Sequence, residues 1–295
     1  MNSEAGLCAE APNKRGRLKI IAEFFRAKPL GAAGGTILLM MMLIGVFAPF
    51  MPLQNPNWTN VIHERLLSPS LSHLAGTDHL GRDQLSRIIY GAGISLYVGL
   101  LATLIGSIIG ALLGMASGYF GGKFDTILQR VMDTIMGFPV LMLALAIMAM
   151  LGPAIHNVVL ALAIPFVPKS NRVVRSAALA ASKFEYVEAA QAIGCRRLRI
   201  LFRHILPNCV PPYIIVASVL LGQAITVEAA LSFLGLGVPP PNPSWGRSLS
   251  EAMPYMGRSP WLAIFPGIAL SIAVFGANLL GDALRDVMDP RMKTR

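Results

Sequence analysis

Long stretches without a charged residue constrain this chain more than any other feature of its sequence. A helix needs about 20 apolar residues to cross the hydrocarbon core of a bilayer, and residues 30–52, 93–117, 134–168, 212–237 and 261–281 reach that length, interrupted only by Glu228. The stretch 134–168 is long enough for two helices and contains Gly152 and Pro153 near its middle, which predicts a helical hairpin. The sequence therefore predicts an all-α integral membrane protein with six transmembrane helices.

The composition excludes an ordinary soluble domain. Of the 295 residues, 54% are hydrophobic and 14% are charged, with a mean hydropathy of +0.60. This excess of apolar surface must face lipid.

The basic residues predict the orientation. Six spans place both termini on one side, and 20 of the 25 Lys and Arg residues fall in the segments on that side, leaving five elsewhere: Arg65, Arg82, Arg87, Arg247 and Arg258. Because Lys and Arg concentrate in cytoplasmic segments, we expect both termini to lie in the cytoplasm, with the chain in the inner membrane. Topology and attraction to anionic lipid then explain the net charge of +10, so no nucleic-acid partner is expected.

These features divide the chain as follows. We expect a basic cytoplasmic tail or interfacial helix at 1–28, a first span at 29–52, an extracytoplasmic loop at 53–92, a transmembrane core at 93–284 and a cytoplasmic tail at 285–295. Within the loop, Asp83 can cap a short interfacial helix at 83–90. Within the core, four glycines recur every four residues: Gly106, Gly110, Gly114 and Gly118. This repeat predicts close packing against another helix, or else a helix face that slides during gating.

A charged cytoplasmic segment at 169–208, which includes the loop at 176–208, predicts three helical pieces. The first continues the fourth span to Ala181, and Ser182 can cap the second at 183–193, which Gly194 ends. Glu185 and Glu188 fall near the positive end of this second helix, whose flank is narrow because of its alanines. Such a helix fits a partner's groove, although an amphipathic loop held by lipid is an equal alternative.

The third piece is amphipathic and predicts a helix on the membrane surface. Four arginines lie on its other face. Its apolar residues follow i, i+3, i+4, i+7 spacing: Leu198, Leu201, Phe202 and Ile205.

The same segment resembles the EAA signature of bacterial ABC importer permeases. The resemblance rests on Glu188-Ala189-Ala190, Gly194 and Leu206-Pro207, with His204 where the general pattern has an aliphatic residue. Two further blocks, GTDHLGRD at 76–83 and EAALSFLGLG at 228–237, resemble the dipeptide, oligopeptide and nickel permeases. The sequence GDALRD at 281–286, followed by Asp289-Pro290, is similar to the end of their C-type members.

This resemblance implies a type I ABC importer transmembrane fold that moves short peptides, or a related small solute, by alternating access. It implies that a coupling helix docks on an ATPase subunit through Glu185, Glu188, Ala189, Ala190 and Gly194. The implied partners are a sister permease, one or two kinds of ATPase subunit that hold ATP and Mg²⁺, an extracytoplasmic solute-binding protein and membrane lipid.

The chain itself is not expected to be an enzyme or to bind a cofactor. Its only Gly-Lys pair, Gly122-Lys123, precedes Phe124, and Ser117 stands where a phosphate-binding loop needs its first glycine. The histidines of the outer loop match no compact metal site, so no metal is expected: His63, His73 and His79.

Single residues leave alternatives open. Glu228, an acid inside a predicted span, is a candidate for the translocation pathway or for a hydrogen-bonded structural role. The motif at 76–83 predicts a fixed outer turn or a contact with the binding protein through Gly76, Thr77, Asp78, Gly81, Arg82 and Asp83, with Arg82 paired to Asp78 or Asp83. Asp125 and Asp133 are expected to pair with Lys123 or Arg130, or to cap helices.

A rival class is a self-sufficient secondary transporter or channel. Such a protein usually carries several intramembrane ionisable residues, and only Glu228 qualifies here. A membrane enzyme is disfavoured because no span pairs metal ligands or a nucleophile with a base.

Overall fold

The computed structural model describes residues 28–288, and this part of the chain is helical apart from loops and one isolated β-bridge between Thr77 and Asp83. The helices are α1 (Pro29–Phe47), α2 (Gln84–Phe120), α3 (Gly122–Met136), α4 (Val140–Leu151), α5 (Ile155–Ala181), α6 (Glu185–Ala192), α7 (Arg197–Ile200), α8 (Leu206–Phe233), α9 (Trp245–Ala252) and α10 (Trp261–Met288). Short 3-10 turns cover Ala48–Phe50 and Met253–Tyr255, and a π-helical turn covers Leu201–Ile205. Most of the predicted tail at 1–28, and residues 289–295 of the tail at 285–295, lie outside the described residues.

The all-α membrane architecture predicted from the sequence is confirmed. Four helical segments are long and apolar enough to cross a bilayer, namely Pro29–Phe50, Gln84–Phe120, Arg197–Phe233 and Trp261–Met288. A fifth span can be formed by α3 and α4 together, although they meet at an angle of 89°. Helix α5 is 27 residues long but carries Lys169 and two arginines.

The predicted hairpin at 134–168 differs from the structure in its first arm. The break is present, since α4 ends at Leu151 and Gly152 adopts a positive φ of 81° before α5 begins. However, α4 has only 12 residues, about 18 Å, which is shorter than a bilayer core. The chain breaks before α4 because Pro139 has no N–H and disfavours a helical conformation at Phe138. Thr134 therefore belongs to α3.

Helix α2 begins nine residues before the predicted start of the second span at 93. Its N-cap is Asp83, whose carboxylate accepts the Ser86 N–H at 2.8 Å. The predicted interfacial helix and the span are thus one helix of 37 residues, about 55 Å long, and its outer turns extend beyond the apolar core. The predicted loop at 53–92 consequently ends at residue 83.

The glycine repeat of α2 packs against α5, as predicted. A Cβ atom at any of the four glycines would collide with a backbone carbonyl oxygen of α5, and these oxygens also recur every four residues: Gly106 with Ala163, Gly110 with Val167, Gly114 with Asn171 and Gly118 with Arg175. The two backbones therefore touch over four helical turns. A buried hydrogen bond from the Ser170 hydroxyl to the Ser107 carbonyl, 2.7 Å long, joins the same pair of helices.

Helix α3 is fixed to α5 by ion pairs that the sequence did not predict. Asp125 accepts two hydrogen bonds of 2.6 Å from Arg175, and Asp133 accepts one of 2.6 Å from Arg172. The expected partners, Lys123 and Arg130, were wrong because tertiary packing brings arginines 39 and 50 residues away next to these acids.

Helix α1 packs on α2 and α10 through further glycines. Gly45 lies against Gly93 of α2, and Gly34 lies against Gly276 of α10. At one end of this pair, Lys28 and Asp286 form an ion pair of 2.6 Å. The start of α1 and the end of α10 are therefore adjacent.

Adding one methyl group to the α2–α5 contact should destabilise the protein. In Gly110→Ala, the new Cβ would collide with the Val167 carbonyl and lie 2.9 Å from the Ser170 Cβ, which should cost about 1 to 3 kcal/mol. Thermal unfolding in detergent, followed by size-exclusion chromatography, should show a lower midpoint. Gly257→Ala is the matched control, because its Cβ would meet nothing within 4 Å. Equal midpoints for the two variants would contradict the packing assignment.

Candidate functional site

The segment between α5 and α8 holds a short helix, α6, between two turns. Helix α5 ends at Ala181 as predicted, but Ser182 does not cap α6, because its hydroxyl donates to the Leu179 carbonyl at 2.9 Å. The N-cap of α6 is Phe184, which offers no side-chain acceptor. The predicted helix at 183–193 is accordingly shortened to Glu185–Ala192.

Gly194 ends α6 in the way the sequence predicted. Its φ of 80° is in the left-handed region that glycine adopts without strain. Gly194 N–H donates to the Gln191 carbonyl at 3.0 Å, and Cys195 N–H donates to the Ala190 carbonyl at 3.1 Å. These two bonds form a Schellman motif, which turns the chain back towards the membrane helices.

The two faces of α6 differ in exposure. Val187 and Ala190 are buried in a cluster with residues of α2, α5 and α8. Glu185, Glu188 and Ala189 lie on the exposed face. Of the five EAA-loop residues singled out from the sequence, Ala190 is therefore the one that packs inward, and the other four are accessible to a partner.

Large apolar side chains surround the exposed face of α6, and sequence reasoning missed them. Ile193 is 80% exposed at the tip, and Phe184 and Tyr186 are about half exposed. Aromatic side chains are enriched in protein interfaces. Their only sequence signal was the presence of apolar residues in a charged loop.

Tyr186 ties α6 to the start of α8. Its hydroxyl accepts a hydrogen bond of 2.9 Å from the Asn208 side-chain amide, and its ring centroid lies 5.9 Å from that of His204. Asn208 also donates to the His204 carbonyl at 2.6 Å. The residue that departs from the EAA pattern, His204, is thus part of this junction.

The third predicted piece is not a separate surface helix. Helix α7 continues through the π-helical turn into α8, because Pro207 has no N–H to complete a regular α-helical turn. The predicted apolar face is also divided, since Leu201 and Ile205 are buried whereas Leu198 and Phe202 are more than half exposed. The burial of Ile200 instead completes the inward face.

On the opposite side of the fold, the motif at 76–83 forms a compact, buried turn. Gly76 and Gly81 have φ values of 73° and 71°. The Asp78 carboxylate accepts the N–H groups of Leu80 and Arg82 at 2.8 and 3.0 Å, and it accepts the Arg82 Nε–H at 2.5 Å. Arg82 therefore pairs with Asp78, one of the two predicted partners.

The remaining residues of the motif fix its edges. The Thr77 hydroxyl donates to the Glu64 carbonyl, and its oxygen accepts the Leu67 N–H at 2.9 Å. Asp83 caps α2 and contacts His73 Nδ1 at 3.1 Å. Because Thr77, Asp78, Arg82 and Asp83 are all buried, the geometry matches a fixed turn better than a surface that meets another protein.

A network of three arginines around Glu251 connects this turn to α9, and sequence reasoning missed it. The Glu251 carboxylate accepts hydrogen bonds from Arg82 at 2.6 Å, Arg87 at 3.2 Å and Arg247 at 2.8 Å. Burial alone would raise the pKa of Glu251, but the charges of Arg87 and Arg82 and the hydrogen bond from Arg247 hold it below its usual value. Only the Arg247–Glu251 spacing of four residues signals this network locally.

Three potential metal ligands meet in the same place. Atoms of Asp78, His79 and Glu251 lie within 4.8 Å of one another. Both carboxylates, however, already bind arginine side chains, whose positive charges oppose a cation. His73 is bound to Asp83 and His63 is exposed, so the structure does not bring the three loop histidines together.

Glu228 is fully enclosed in the C-terminal part of α8. Its side chain is 0% exposed, and its Oε1 accepts a hydrogen bond of 2.7 Å from the Ser232 hydroxyl. The Ser232 oxygen in turn accepts the Val238 N–H at 3.2 Å. This chain of bonds fastens the loop after α8, which favours the structural reading of Glu228 over the pathway reading.

Neutralising Glu251 should loosen the turn at 76–83. Glu251→Gln leaves Arg82 and Arg87 without their shared carboxylate, which should cost about 3 kcal/mol and lower the thermal midpoint. Since the folded-state pKa is lowered, the stabilisation is complete above the unfolded pKa of about 4.3 and is lost as pH falls through the folded value. The midpoints of wild type and variant should therefore begin to approach each other below about pH 4 and meet only below the lowered folded pKa.

Glu64→Gln is the matched control for this experiment, because Glu64 contacts Thr77 through its backbone carbonyl. It should unfold like the wild type at neutral pH. A difference between wild type and Glu251→Gln that persists unchanged at pH 3 would contradict the electrostatic assignment.

Comparison with known proteins identifies the family. Residues 106–294 match the family model described as binding-protein-dependent transport system inner membrane component. The chain is 44% identical over 260 residues to a putative peptide transport system permease protein of Brucella suis, covering 88% of this chain and 87% of the relative. It is 42% identical over 265 residues to the dipeptide transport system permease protein DppC of Alkalihalophilus pseudofirmus, covering 90% and 87%. It is 40% identical over 271 residues to the di/tripeptide transport system permease protein DppC of Pseudomonas aeruginosa, covering 89% of each.

Solved structures support the fold. A structure of the MetNI methionine ABC transporter in an inward-facing conformation matches with a TM-score of 0.58 and 17% sequence identity, covering 70% of this chain and 97% of the matched chain. At this identity the likeness shows the fold alone, which is the type I ABC importer transmembrane fold. With relatives at 40% identity or more over almost the whole length, the chain belongs to the family of binding-protein-dependent transport system inner membrane components, the permease subunits of ABC transporters.

Proposed function

We propose that this chain is the C-type permease subunit of an importer of short peptides. The observation that carries the proposal is the identity of 40 to 44% to relatives named as peptide, dipeptide and di/tripeptide permeases, which extends over about nine tenths of the chain. The alternative within the same proposal is that the transported solute is another small molecule related to short peptides. The solute would cross by alternating access.

The proposed complex contains a sister permease, one or two kinds of ATPase subunit and an extracytoplasmic binding protein. ATP and Mg²⁺ would be held by the ATPase subunits, and this chain would bind no nucleotide and catalyse no reaction. The exposed acidic and apolar surface of α6 supports an ATPase subunit as its partner. Glu185, Glu188 and Ala189 would face this subunit, with Ile193 and Gly194 at the tip.

We further propose six spans with both termini in the cytoplasm. In this topology α5 is one span, and α3 with α4 forms the broken span before it. The intimate packing of α5 along the apolar helix α2 supports this, as does the Lys28–Asp286 pair, which holds the start of α1 beside the end of α10. The turn at 76–83 and the Glu251 network would then lie on the extracytoplasmic side.

The coupling role rests on how α6 is held. Its inner face packs against α2, α5 and α8, and Tyr186 is bonded to Asn208 of α8. A push on the exposed face would therefore move the ends of α5 and α8 with it. Such rigid-body transmission is an ordinary way to link distant sites.

Two substitutions, one on α6 and one at the glycine that follows it, should uncouple ATP hydrolysis from uptake. Glu188→Lys reverses an exposed charge, and Gly194→Trp places a bulky group at the exposed tip. Each should lower peptide uptake into proteoliposomes about tenfold, the effect of losing about 1.4 kcal/mol of docking energy, while the subunit still inserts into the membrane. Uptake and ATP hydrolysis would be measured on the same preparation.

Asp282→Lys is the matched charge-reversal control, because Asp282 is an exposed acid of α10. It should keep both uptake and hydrolysis. Normal uptake by both α6 variants would contradict the coupling assignment.

The topology can be tested with single cysteines in a chain whose native Cys8, Cys195 and Cys209 are replaced by serine. A membrane-impermeant maleimide added to spheroplasts should label Pro153→Cys, between α4 and α5, and Gly257→Cys, before α10. Gln191→Cys, on the exposed side of α6, should react only after the membrane is opened. Labelling of Gln191→Cys in intact spheroplasts would reject the proposed orientation.

A further inference from the structure

Lys169 lies near the middle of α5, inside the proposed span. The sequence analysis places it at the start of a cytoplasmic segment, and α5 runs for three more turns beyond it to Ala181, as predicted. The Lys169 Nζ donates a hydrogen bond of 2.7 Å to the Gln223 Oε1 of α8. Lys169 is partly exposed, so the pair lies at an open edge between the two helices.

The charge of Lys169 has no counter-charge in the described part of the chain, where no carboxylate oxygen lies within 4.0 Å of its Nζ. The two arginines on the same helix differ, because Arg172 and Arg175 are each paired with an aspartate of α3. A cation inside a membrane span is costly and usually serves a function.

The hydrogen-bond donors of Lys169 and Gln223 suit a carboxylate ligand. An ammonium group has three N–H donors, and Gln223 accepts from Lys169 through its oxygen. The amide of Gln223 has two N–H donors of its own, and they are adjacent to the ammonium. Together the two side chains can donate to both oxygens of one carboxylate, in charge-assisted hydrogen bonds.

The direction of Lys169 also suits a solute that enters from outside. Side chains on a helix lean towards its N-terminal end, and in the proposed topology the N-terminal end of α5 is extracytoplasmic. Helix α5 also contains Pro165 and Pro168 just before Lys169. These prolines remove two hydrogen bonds of the helix, which allows local adjustment around the lysine.

We infer that Lys169 and Gln223 form a binding point for a carboxylate on the translocation path, and that its ligand is the C-terminal carboxylate of a short peptide. This inference rests on the proposed function. The opposing possibility is that Lys169 is neutralised by an acid of the sister permease, in which case it would be a structural residue of the complex.

The test uses the complex purified through a tag on this chain and reconstituted in proteoliposomes with its binding protein. The probe is an equimolar mixture of di- to tetrapeptides, supplied both as free acids and as C-terminal amides. Mass spectrometry measures the ratio of free-acid to amide uptake. Any preference of the binding protein contributes equally in every variant, so only differences between variants report on this chain.

Lys169→Gln should lower the ratio about tenfold, as expected for the loss of a charge-assisted hydrogen bond. Lys169→Arg should largely preserve it. Arg172→Gln is the matched control, since it removes a cation from the same helix that is already paired with Asp133, and it should leave the ratio unchanged.

Two results would overturn the inference. One is that Lys169→Gln changes neither the ratio nor the total uptake. The other is an unchanged ratio with an equal fall in the uptake of acids and amides, which is what a broken ion pair with the sister permease would cause. If the wild-type complex takes up neither form of peptide, the peptide proposal fails and the inference fails with it. The wild-type measurement alone therefore distinguishes a failure of the proposed function from a failure of the inference about Lys169.

Discussion

The contact between α2 and α5 determines where the other helices and their charges lie. Four glycines of α2 meet four backbone carbonyls of α5, at Ala163, Val167, Asn171 and Arg175, so the rotation of α5 about its own axis is fixed. That rotation directs the side chains of Arg172 and Arg175 towards the aspartates of α3. It also directs Lys169 towards Gln223 of α8. The close approach of the two backbones at the four glycines thus positions the charged side chains on the remaining faces of α5.

The short helix α6 is held by its neighbours on both sides in the chain. It follows α5 after three residues, and the Schellman turn at Gly194 leads directly into α7 and the π-helical turn before α8. Its buried residues Val187 and Ala190 share a cluster with Val174 of α5 and Cys209 of α8. A helix of eight residues is unstable alone, so α6 is stabilised by this packing against α5 and α8.

Features that depend on neighbouring residues could be predicted from the sequence, and features that depend on distant residues could not. The glycine repeat, the Asp83 cap, the left-handed Gly194 and the Asp78–Arg82 pair all follow from local spacing. Arg175, the partner of Asp125, and Arg82, one of the partners of Glu251, are distant in the sequence, so no local pattern contains these two pairs. The short α4 and the π-helical turn depend on how the backbone adjusts next to Pro139 and Pro207. The apolar pattern of a stretch is the same whether or not the helix is broken there.

Two ionisable residues of the proposed spans, Glu228 and Lys169, show that the role of a charged residue has to be judged from its burial as well as from its position in the sequence. The sequence predicts Glu228 inside a span because apolar residues flank it, and it predicts Lys169 in the cytoplasm because Lys169 begins the charged segment at 169–208. Glu228 is completely enclosed and bonded to Ser232, so a solute cannot reach it in this conformation. Lys169 is partly exposed and bonded to a neutral amide, so its charge is available in the same conformation. The partial exposure of Lys169 and its bond to a neutral partner are what the inferred carboxylate-binding point requires, whereas the complete enclosure of Glu228 suits a structural role.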